Sequence, residues 1–163
     1  MDKLSYNIIK ILEENARYSA KELSVMLDVT EEEVKKTIEK LEREQIICGY
    51  KAFIDWDKFS DSHVTALIEL QVTPQGSTGF EDIAEYIMQM EEVETVYLMS
   101  GGFDLTVIVQ GQSFKDVALF VAKRLALIDC VQSTATHFVL RRYKELGIPL
   151  IKNTTDDRGL LSL

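Results

Sequence analysis

The sequence is poor in the residues that build disulfide frameworks and metal centres. It contains two cysteines and two histidines among 163 residues. Cys48 and Cys130 are far apart, with no C-x-x-C spacing and no flanking histidine cluster, so neither a disulfide framework nor a zinc site is indicated. His63 and His137 have no metal-ligand spacing either, and core or surface roles are favoured for both. We therefore expect no metal and no cofactor.

Long apolar runs and a signal sequence are also absent. No stretch of about 18 uncharged apolar residues occurs, so a membrane-spanning helix is not predicted. The opening residues, MDKLSYNIIKILEEN, alternate apolar and charged groups as an amphipathic helix does, rather than as a signal peptide does. We expect a cytoplasmic protein without a membrane partner, whose cysteines are reduced thiols.

Basic residues are scarce, and motifs for catalysis are missing. The 18 lysines and arginines are outnumbered by 27 acids, which gives a formal net charge of -9. That balance argues against a generally basic nucleic-acid coat, because DNA-binding domains usually have a pI above about 9. The sequence has no Walker-type phosphate loop, no glycine-rich dinucleotide loop and no motif for a nucleophile. No enzymatic activity is predicted from these residues.

The sequence does contain three short amphipathic helices within its first 50 residues. Their apolar stripes are Leu4, Ile8, Ile11 and Leu12, then Ala20, Leu23 and Leu27, then Val34, Ile38 and Leu41. Ser19 and Thr30 each stand three positions before a glutamate, which is the capping-box pattern of a helix start. Because only residues 27–29 separate the last two helices, the segment predicts a helix-turn-helix. In that motif the third helix, about residues 30–44, is the one that would enter the major groove of DNA.

The pattern of apolar and polar residues changes after this segment, which indicates a second domain. Residues 46–54 are predicted as a strand, and the polar residues 55–62 as the domain boundary. We therefore assign residues 1–50 to a winged-type helix-turn-helix domain, residues 51–62 to a linker strand and connector, residues 63–145 to the second domain and residues 146–163 to a C-terminal tail.

The second domain is predicted to have the order βαββαβ. Strands are expected over residues 64–72, 93–99, 104–110 and 131–143, and helices from residue 78 or 79 to residue 90 and over residues 113–127. This order is the ferredoxin-like split βαβ pattern, in which two helices cover one face of a four-stranded antiparallel sheet. The predicted fold class is α+β.

Apolar residues on both faces of this sheet bear on assembly. In the third strand Ile108 lies between Val107 and Val109, so the strand offers apolar side chains to both sides. Helices can cover only one face, and we infer that the other packs against a second copy, giving a homodimer of face-to-face sheets. The alternative is that residues 147–163 fold back over it.

The third helix, TEEEVKKTIEKLEREQ, is the candidate DNA-binding element. A reading helix normally presents hydrogen-bond donors from its first turns, whereas this one begins with three glutamates. As a solvated helix, it is stabilised by acids at its N-terminus and by Glu–Lys pairs four residues apart. As a DNA-binding helix, it uses lysines on phosphates and a glutamate on cytosine N4. The candidate DNA-binding residues are Ser19, Lys21, Thr30, Glu32, Lys35, Lys36, Thr37 and Lys40.

The segment SGGFD, residues 100–104, is a second candidate site. A hairpin turn whose glycines supply positive φ explains it structurally. The uncovered N–H groups of Gly101 and Gly102 also suit a carboxylate, and Asp104 could hold an ammonium, so the segment fits a free amino acid. A polar wall for the same ligand could come from the hydroxyl residues that open the last strand, Ser133, Thr134 and Thr136. Ordinary β-propensity is the other explanation for these three residues.

Taken together, these segments resemble the leucine-responsive and asparagine-responsive regulators of bacteria and archaea, the Lrp/AsnC family. The similarity is carried by residues 4–12, 20–23, 34–50, 100–104 and 134–136. The resemblance implies a transcription regulator that dimerises through its C-terminal domains, assembles to tetramers or octamers and binds amino acids between dimers. It implies an effector site formed by Gly101, Gly102, Asp104, Ser133, Thr134 and Thr136.

The third helix departs from the family's usually basic pattern by its glutamates at positions 31–33 and at one further position, and three interpretations stand. Family members usually carry an arginine four residues before the Leu-Glu pair, where this sequence has Thr37. The first interpretation is a regulator of double-stranded DNA whose oligomeric state or DNA affinity responds to a small molecule, an amino acid. The second is a ligand-binding or assembly protein of the same fold that has lost DNA recognition. The third is an enzyme resembling the sirohaem decarboxylases, whose architecture is similar.

Overall fold

A computed structural model describes residues 2–59, 62–73 and 79–150 of the chain. The chain divides into two compact units, residues 1–54 and residues 55–163. Each unit has a hydrophobic core of its own, which is the organisation of a two-domain chain. The division falls within the segment predicted as a linker, residues 51–62.

The first unit consists of three helices whose starts are fixed by side-chain caps. They are α1 (Lys3–Glu14), α2 (Ala20–Leu27) and α3 (Glu31–Arg43). Asp2, Ser19 and Thr30 are their N-caps, and each side chain accepts a hydrogen bond from a backbone N–H of the first turn. The predicted stripes meet in a core built from Ile8, Leu12, Leu23, Val34 and Leu41. Both predicted capping boxes are confirmed, and they fix where α2 and α3 begin.

The segment after α3 is not the strand predicted for residues 46–54. Gln45 has a φ of 55°, in the left-handed region. The N–H groups of Ile46 and Ile47 both donate to the carbonyl oxygen of Leu41, which folds the chain against the last turn of α3. A strand needs a neighbour to pair with, and the described part of the first unit offers none. The prediction was wrong because apolar residues alone do not supply that neighbour.

The second unit has the predicted βαββαβ order. Its elements are α4 (Trp56–Phe59), β1 (Val64–Val72), α5 (Phe80–Met88), β2 (Val93–Leu98), β3 (Leu105–Gly111), α6 (Phe114–Lys123), a 3₁₀ turn (Leu125–Leu127), β4 (Val131–Phe138), β5 (Lys144–Glu145) and β6 (Ile148–Pro149). The four long strands form one antiparallel sheet in the order β2-β3-β1-β4. This order puts β1 and β3 in the centre, and the predicted ferredoxin-like α+β fold is confirmed.

The sheet has an inner face and an outer face. The inner face packs against α5 and α6, and its core residues are Ala66, Ile68, Leu70, Val72, Leu105, Val107 and Val109. Side chains alternate along a strand, so the residues between these point to the other side of the sheet. The outer face comprises Thr65, Leu67, Glu69 and Gln71 of β1, Thr106, Ile108 and Gln110 of β3, Tyr97 of β2, and Ser133, Ala135 and His137 of β4.

The outer face is only partly covered within one chain. Leu67 and Ile108 are half-buried, whereas Tyr97 is 55% exposed. Residues 139 and 141–145 supply part of the cover, because they line a groove of about 470 Å³ together with Leu67 and Ile108. The predicted burial of both faces is therefore incomplete in a single chain. Residues 151–163, the rest of the tail that was considered as a cover, lie outside the described residues.

The two helices of the second unit are shorter than predicted. The helix expected from residue 78 or 79 to residue 90 is Phe80–Met88, and residue 78 lies outside the described residues. The helix expected over residues 113–127 ends at Lys123 and is followed by the 3₁₀ turn. Arg124 has φ and ψ of -124° and -62°, which do not continue an α-helix. The apolar residues of the 3₁₀ turn extend the helical pattern in the sequence without extending the helix.

The strand predicted over residues 131–143 is also shorter, and a hairpin follows it. β4 ends at Phe138, which pairs with Ala66 near the start of β1, and beyond it the Val139 N–H still donates to the carbonyl oxygen of Thr65 at 2.9 Å. The chain then forms the β5–β6 hairpin, which was not predicted. Its two-residue loop has φ of 46° at Leu146 and 81° at Gly147, the left-handed conformation that such tight hairpin loops require.

The segment that leads into this hairpin is attached to α4 by an arginine whose side chain is largely buried. The side chain of Arg142 is 13% exposed, and its guanidinium lies 3.0 Å from Asp57 Oδ1 and 3.4 Å from Glu145 Oε2. In addition, Lys58 Nζ donates to the carbonyl oxygen of Leu150 at 3.2 Å. A four-residue helix has little stability of its own, so these contacts contribute to holding α4 in place.

Candidate DNA-binding and effector sites

Ser19 and Thr30, two of the predicted DNA-binding residues, are engaged as helix caps. Thr30 Oγ1 accepts from the Glu33 N–H at 3.2 Å, and Glu33 Oε2 accepts from the Thr30 N–H at 2.9 Å and from its hydroxyl at 2.7 Å. Ser19 and Glu22 repeat the arrangement. The hydrogen bond from the Thr30 hydroxyl is the main cause that lowers the pKa of the Glu33 carboxyl, and the Ser19 hydroxyl does the same for Glu22.

The first two lysines of α3 are paired with glutamates one turn earlier. Lys35 Nζ lies 2.6 Å from Glu31 Oε1, and Lys36 Nζ lies 2.7 Å from Glu32 Oε1. The hydrogen bond between Glu31 and Lys35 lowers the pKa of the carboxyl and raises that of the ammonium. All four side chains are exposed, so each pair competes with water and salt, and a phosphate can replace the carboxylate.

The remaining predicted residues are arranged around these pairs. Lys40 and Lys21 are exposed, on α3 and at the start of α2. Arg43 in the last turn of α3 is exposed as well, as its spacing from the buried residues of the helix predicts, although it was not among the candidate DNA-binding residues. Thr37 is half-buried, and its hydroxyl donates to the carbonyl oxygen of Glu33 at 2.7 Å. The helix is thus acidic in its first turn and basic in its last.

The negative charge of the chain is concentrated in the second unit. Residues 1–54 contain 9 basic and 11 acidic side chains, whereas residues 55–163 contain 9 basic and 16 acidic ones. A nearly balanced first unit provides no broad attraction for a polyanion. The exposed cations on α3 and at the start of α2 are therefore a local group within a nearly neutral unit.

The predicted effector segment forms the loop between β2 and β3. The Met99 N–H donates to the carbonyl oxygen of Asp104 at 2.8 Å, which closes the loop. Gly101 has a φ of 153°, whereas Gly102 has no positive φ, so the prediction of positive φ is right for the first glycine and wrong for the second. Both glycines are exposed, and a Cβ on either would meet no atom within 4 Å. Their surroundings are therefore open to a small molecule.

Asp104 attaches this loop to the end of β1. Its Oδ2 accepts a hydrogen bond from the Val72 N–H at 2.8 Å, and its own N–H donates to the carbonyl oxygen of Leu70 at 2.9 Å. The contact lies where the register of β1 against β4 shifts, between Gln71 and Val72. One carboxylate oxygen, Oδ2, is thus used to hold the strand end.

The predicted hydroxyl residues of β4 are divided between the two faces of the sheet. Thr134 and Thr136 pair with Leu70 and Ile68, and their side chains share the inner face. Ser133 lies on the outer face, where its hydroxyl is 3.3 Å from Gln71 Oε1. The three residues therefore do not form one wall, because neighbours along a strand point to opposite sides.

The structure nevertheless brings the two predicted segments to the same end of the sheet. Asp104 contacts β1 from the β3 side at Leu70 and Val72, and Thr134 pairs with Leu70 from the β4 side. Two strand spacings, about 10 Å, separate such flanking positions. Thr136 lies one pleat deeper into the sheet. The Val72 N–H was missed by the prediction, since no sequence signal marks a backbone group as a partner.

Other candidate chemistry is limited in the part of the chain that is described. Within residues 2–59, 62–73 and 79–150, no group of three or more His, Cys, Asp and Glu side chains could hold a metal ion. No helix of those segments is long and apolar enough to traverse a bilayer. His63 stacks on Trp56 with ring centroids 5.0 Å apart, and Cys48 and Cys130 are free thiols.

Comparison with known proteins identifies both units. The model of the AsnC-type helix-turn-helix domain matches residues 1–42, and the model of the Lrp/AsnC ligand binding domain matches residues 65–148. An uncharacterised HTH-type transcriptional regulator of Bacillus subtilis, YugG, is 44% identical over 156 residues, which are 94% of this chain and 93% of that protein. The leucine-responsive regulatory protein of Klebsiella pneumoniae is 23% identical over 152 residues, 93% of this chain and 92% of its own.

A solved structure agrees with the sequence comparisons. A transcriptional regulator of Neisseria meningitidis, determined as a complex with L-Met, superposes with a TM-score of 0.74 at 23% identity and covers 92% of this chain and 97% of its own. At that identity the superposition establishes the fold alone. These families and relatives are transcriptional regulators rather than enzymes, so the interpretation as a sirohaem decarboxylase-like enzyme is wrong. With both units matched by its domain models, the chain belongs to the Lrp/AsnC family of transcriptional regulators.

Proposed function

We propose that this regulator binds double-stranded DNA through α3 and changes its oligomeric state or DNA affinity when an amino acid binds to its second unit. The observation that carries the effector part is the position of Asp104 and Thr134 on the two sides of Leu70. An exposed glycine loop lies beside them. Polar groups on both sides of an open strand end suit a small zwitterion.

Binding to DNA rests on the exposed cations of α3. Lys35 and Lys36 exchange their intrahelical carboxylates for phosphates, and Lys40 adds a third contact. Glu32 in the first turn can accept a hydrogen bond from cytosine N4. Because each lysine gives up a glutamate partner, the affinity of one unit is low and depends strongly on salt.

The amino-acid class of the effector follows from the chemistry of the loop. The N–H groups of Gly101 and Gly102 face a ligand carboxylate without an obstructing side chain, and Asp104 Oδ1 accepts from its ammonium. Thr134 and Thr136 border the ligand from β4. The complex of the Neisseria regulator with L-Met supports a ligand of this class.

Assembly connects the two activities. The outer face packs against a second copy of the chain, and the dimer associates further to a tetramer or octamer. A ligand that favours one assembly changes how many α3 helices engage DNA together. A modest difference in the affinity of the ligand for two assemblies is therefore amplified by multivalency into a larger difference in DNA affinity. Such a regulator acts on the chromosome, and we place it in the cytoplasm.

Calorimetric titration with a panel of single amino acids tests the effector site. We expect one or a few of them to bind, to change the mass measured by light scattering and to alter the retention of DNA. Binding should be lost in Gly102→Val, which crowds the loop, and kept in Gly49→Ala, whose Cβ meets no atom in the first unit. If no amino acid binds, or if Gly102→Val binds normally, the proposed effector site is wrong.

A second candidate function is a ligand-binding assembly protein that has lost DNA recognition. The observation in its favour is that Lys35 and Lys36 are both held by glutamates of the same helix. Such a protein would bind an amino acid and change its assembly while retaining no DNA at any salt concentration. Salt-dependent DNA retention separates the two functions.

A further inference from the structure

A groove lies between α6 and the end of β3, on the helix side of the sheet. Its volume is about 280 Å³. Its floor is apolar, because Val109 of β3 is fully buried and Val117 and Phe120 of α6 are 2% and 6% exposed. Leu119, which also lines the groove, is 39% exposed. Ligand pockets begin at roughly 300 Å³, so the groove has the size for a small molecule rather than for a protein segment.

The charged side chains that line this groove differ in whether they have partners. Arg124 Nη1 donates to both carboxylate oxygens of Glu92, at 2.9 Å and 2.8 Å. Asp116 Oδ2 accepts a hydrogen bond of 2.7 Å from the Ser113 hydroxyl at the start of α6. The ammonium group of Lys123 is exposed and forms no ion pair or hydrogen bond with any residue that the structure describes. The charge that remains available at the groove is therefore positive.

The groove is separate from the proposed effector loop, which joins β2 to β3 at the other end of those strands. Val109 lines the groove, whereas Leu105 is the first residue of β3 after the loop. Four residues of a strand, about 13 Å, separate the two positions. None of the residues assigned to the effector site lines the groove. A molecule could therefore occupy the groove while the effector loop is empty.

We propose that this groove is a second small-molecule site of the unit, and that it takes a carboxylate with a short aliphatic chain. The chain covers the apolar floor and displaces water from it, while the carboxylate accepts from Lys123 Nζ. Arg124 adds a second positive charge, and its guanidinium carbon lies 5.5 Å from the centre of the Phe120 ring, beside the floor. A cationic head group is disfavoured, because Glu92 already binds Arg124 through both oxygens.

Titration of the full chain with hexanoate, followed by two-dimensional NMR of labelled methyl groups, tests this assignment. The signals of Val109, Val117 and Leu119 should shift in a saturable way. Hexanamide has the same chain without the charge and should bind at least about tenfold more weakly, because it cannot form the charge-assisted contact. A parallel titration with 2-oxohexanoate distinguishes a fatty acid from a 2-oxo acid as the source of the carboxylate, by which of the two binds more tightly.

Three variants separate the charge, the position of the charge and the two sites. Lys123→Gln should lose the preference for hexanoate over hexanamide while the signals of the floor still shift. Lys115→Gln removes an exposed cation of α6 that does not line the groove, and it should bind hexanoate as the wild type does. Gly102→Val, which crowds the proposed effector loop, should also bind hexanoate normally.

Four results would overturn the proposal. The groove does not select a carboxylate if hexanoate shifts none of these methyl signals, or if hexanamide binds as tightly. If Gly102→Val abolishes hexanoate binding, the probe occupies the effector loop instead. Norleucine adds an ammonium group to hexanoate, and Asp129 of an adjoining hollow that shares Lys123 could accept from it. If norleucine binds the groove more tightly than hexanoate does, the groove is an amino-acid site and the assigned ligand class is wrong.

Discussion

The carboxylate of Asp104 accepts a hydrogen bond of 2.8 Å from the backbone N–H of Val72. This bond joins the β2–β3 loop to the end of β1, at the point where β1 loses its regular register with β4. Val72 is 5% exposed, so its N–H has little access to water if the carboxylate is removed. The same aspartate is the proposed acceptor for a ligand ammonium, and its two roles can be separated by substitution.

Asp104→Asn should weaken amino-acid binding, whereas Asp104→Ala should also destabilise the fold. Asparagine keeps an acceptor for Val72, so the fold should be retained while amino-acid binding weakens because the negative charge is gone. Alanine leaves the buried N–H unpaired, and the free energy of unfolding should fall by about 1–3 kcal/mol. Denaturant unfolding and calorimetric titration of both variants measure the two effects. Normal amino-acid binding by Asp104→Asn would contradict the ligand role.

Gly111 is expected to be intolerant of any side chain. A Cβ at this position would lie 2.9 Å from Val117 Cγ2, because α6 begins immediately after β3 and packs against its end. Gly111→Ala should lower the free energy of unfolding by about 1–3 kcal/mol through overpacking. Gly102→Ala has open space and should change it little.

The double variant Gly111→Ala/Val117→Ala distinguishes this clash from a general effect of replacing glycine. Since Val117→Ala removes the contacting methyl group, the two substitutions together should cost less than the sum of their separate effects. Additive losses in denaturant unfolding would show that the methyl group is not the obstacle.

The start of α3 should depend on pH through Glu33. Hydrogen bonds from Thr30 lower the pKa of this carboxyl in the folded chain, so its contribution to stability is present above the unfolded pKa and is lost as the pH falls through the lower folded value. The difference between wild type and Glu33→Gln in hydrogen exchange of the α3 amides should therefore disappear in acid. Glu44→Gln, beyond the end of α3, serves as the control.

Thr30 itself can be tested at neutral pH by the same measurement. Thr30→Ala removes the cap and should lower the local stability of α3 by about 1 kcal/mol, whereas Thr30→Ser keeps the hydroxyl and should stay close to wild type. Equal exchange rates in the alanine and serine variants would mean that the hydroxyl does not fix the helix start.

Removing the glutamates that hold the lysines should strengthen DNA binding. In Glu31→Gln/Glu32→Gln the ammonium groups of Lys35 and Lys36 no longer have charged partners in the helix, and two negative charges near the DNA backbone are gone. The dissociation constant for a retained DNA fragment should fall at low salt, and the difference should shrink at high salt. Glu13→Gln/Glu14→Gln on α1 controls for the change in net charge. A weaker complex in the α3 variant would indicate that the glutamates contact DNA.

Local patterns in the sequence were sufficient to predict much of the fold. The helices of the first unit could be predicted because helical periodicity and caps such as Thr30 act within a few residues. Strand assignments were less secure, because a strand exists only where a partner lies beside it. Residues 46–54 lack such a partner in the described part of the first unit, and β4 ends at Phe138, near the start of β1.

The candidate effector site was predicted as a set of residues but not as a geometry. Which face Ser133 occupies follows from its pairing with Gln71, and a register is a long-range property that spacing along one strand does not fix. The attachment of Asp104 to Val72 depends on a backbone group. The β5–β6 hairpin has a recognisable glycine at position 147, but the left-handed Leu146 beside it is uncommon and gave no signal.

Retention of genomic DNA fragments by the full chain and by Lys35→Ala/Lys36→Ala, each at a low and a high salt concentration, tests the central claim most directly. The account predicts that the wild type retains specific fragments, that retention weakens steeply with salt, and that the double variant retains none. Lys115→Ala/Lys123→Ala removes the same charge from the second unit and should still retain the fragments. If the wild type retains nothing at low salt, with or without amino acids, or if the double variant of α3 binds as the wild type does, α3 does not read DNA and the claim is contradicted.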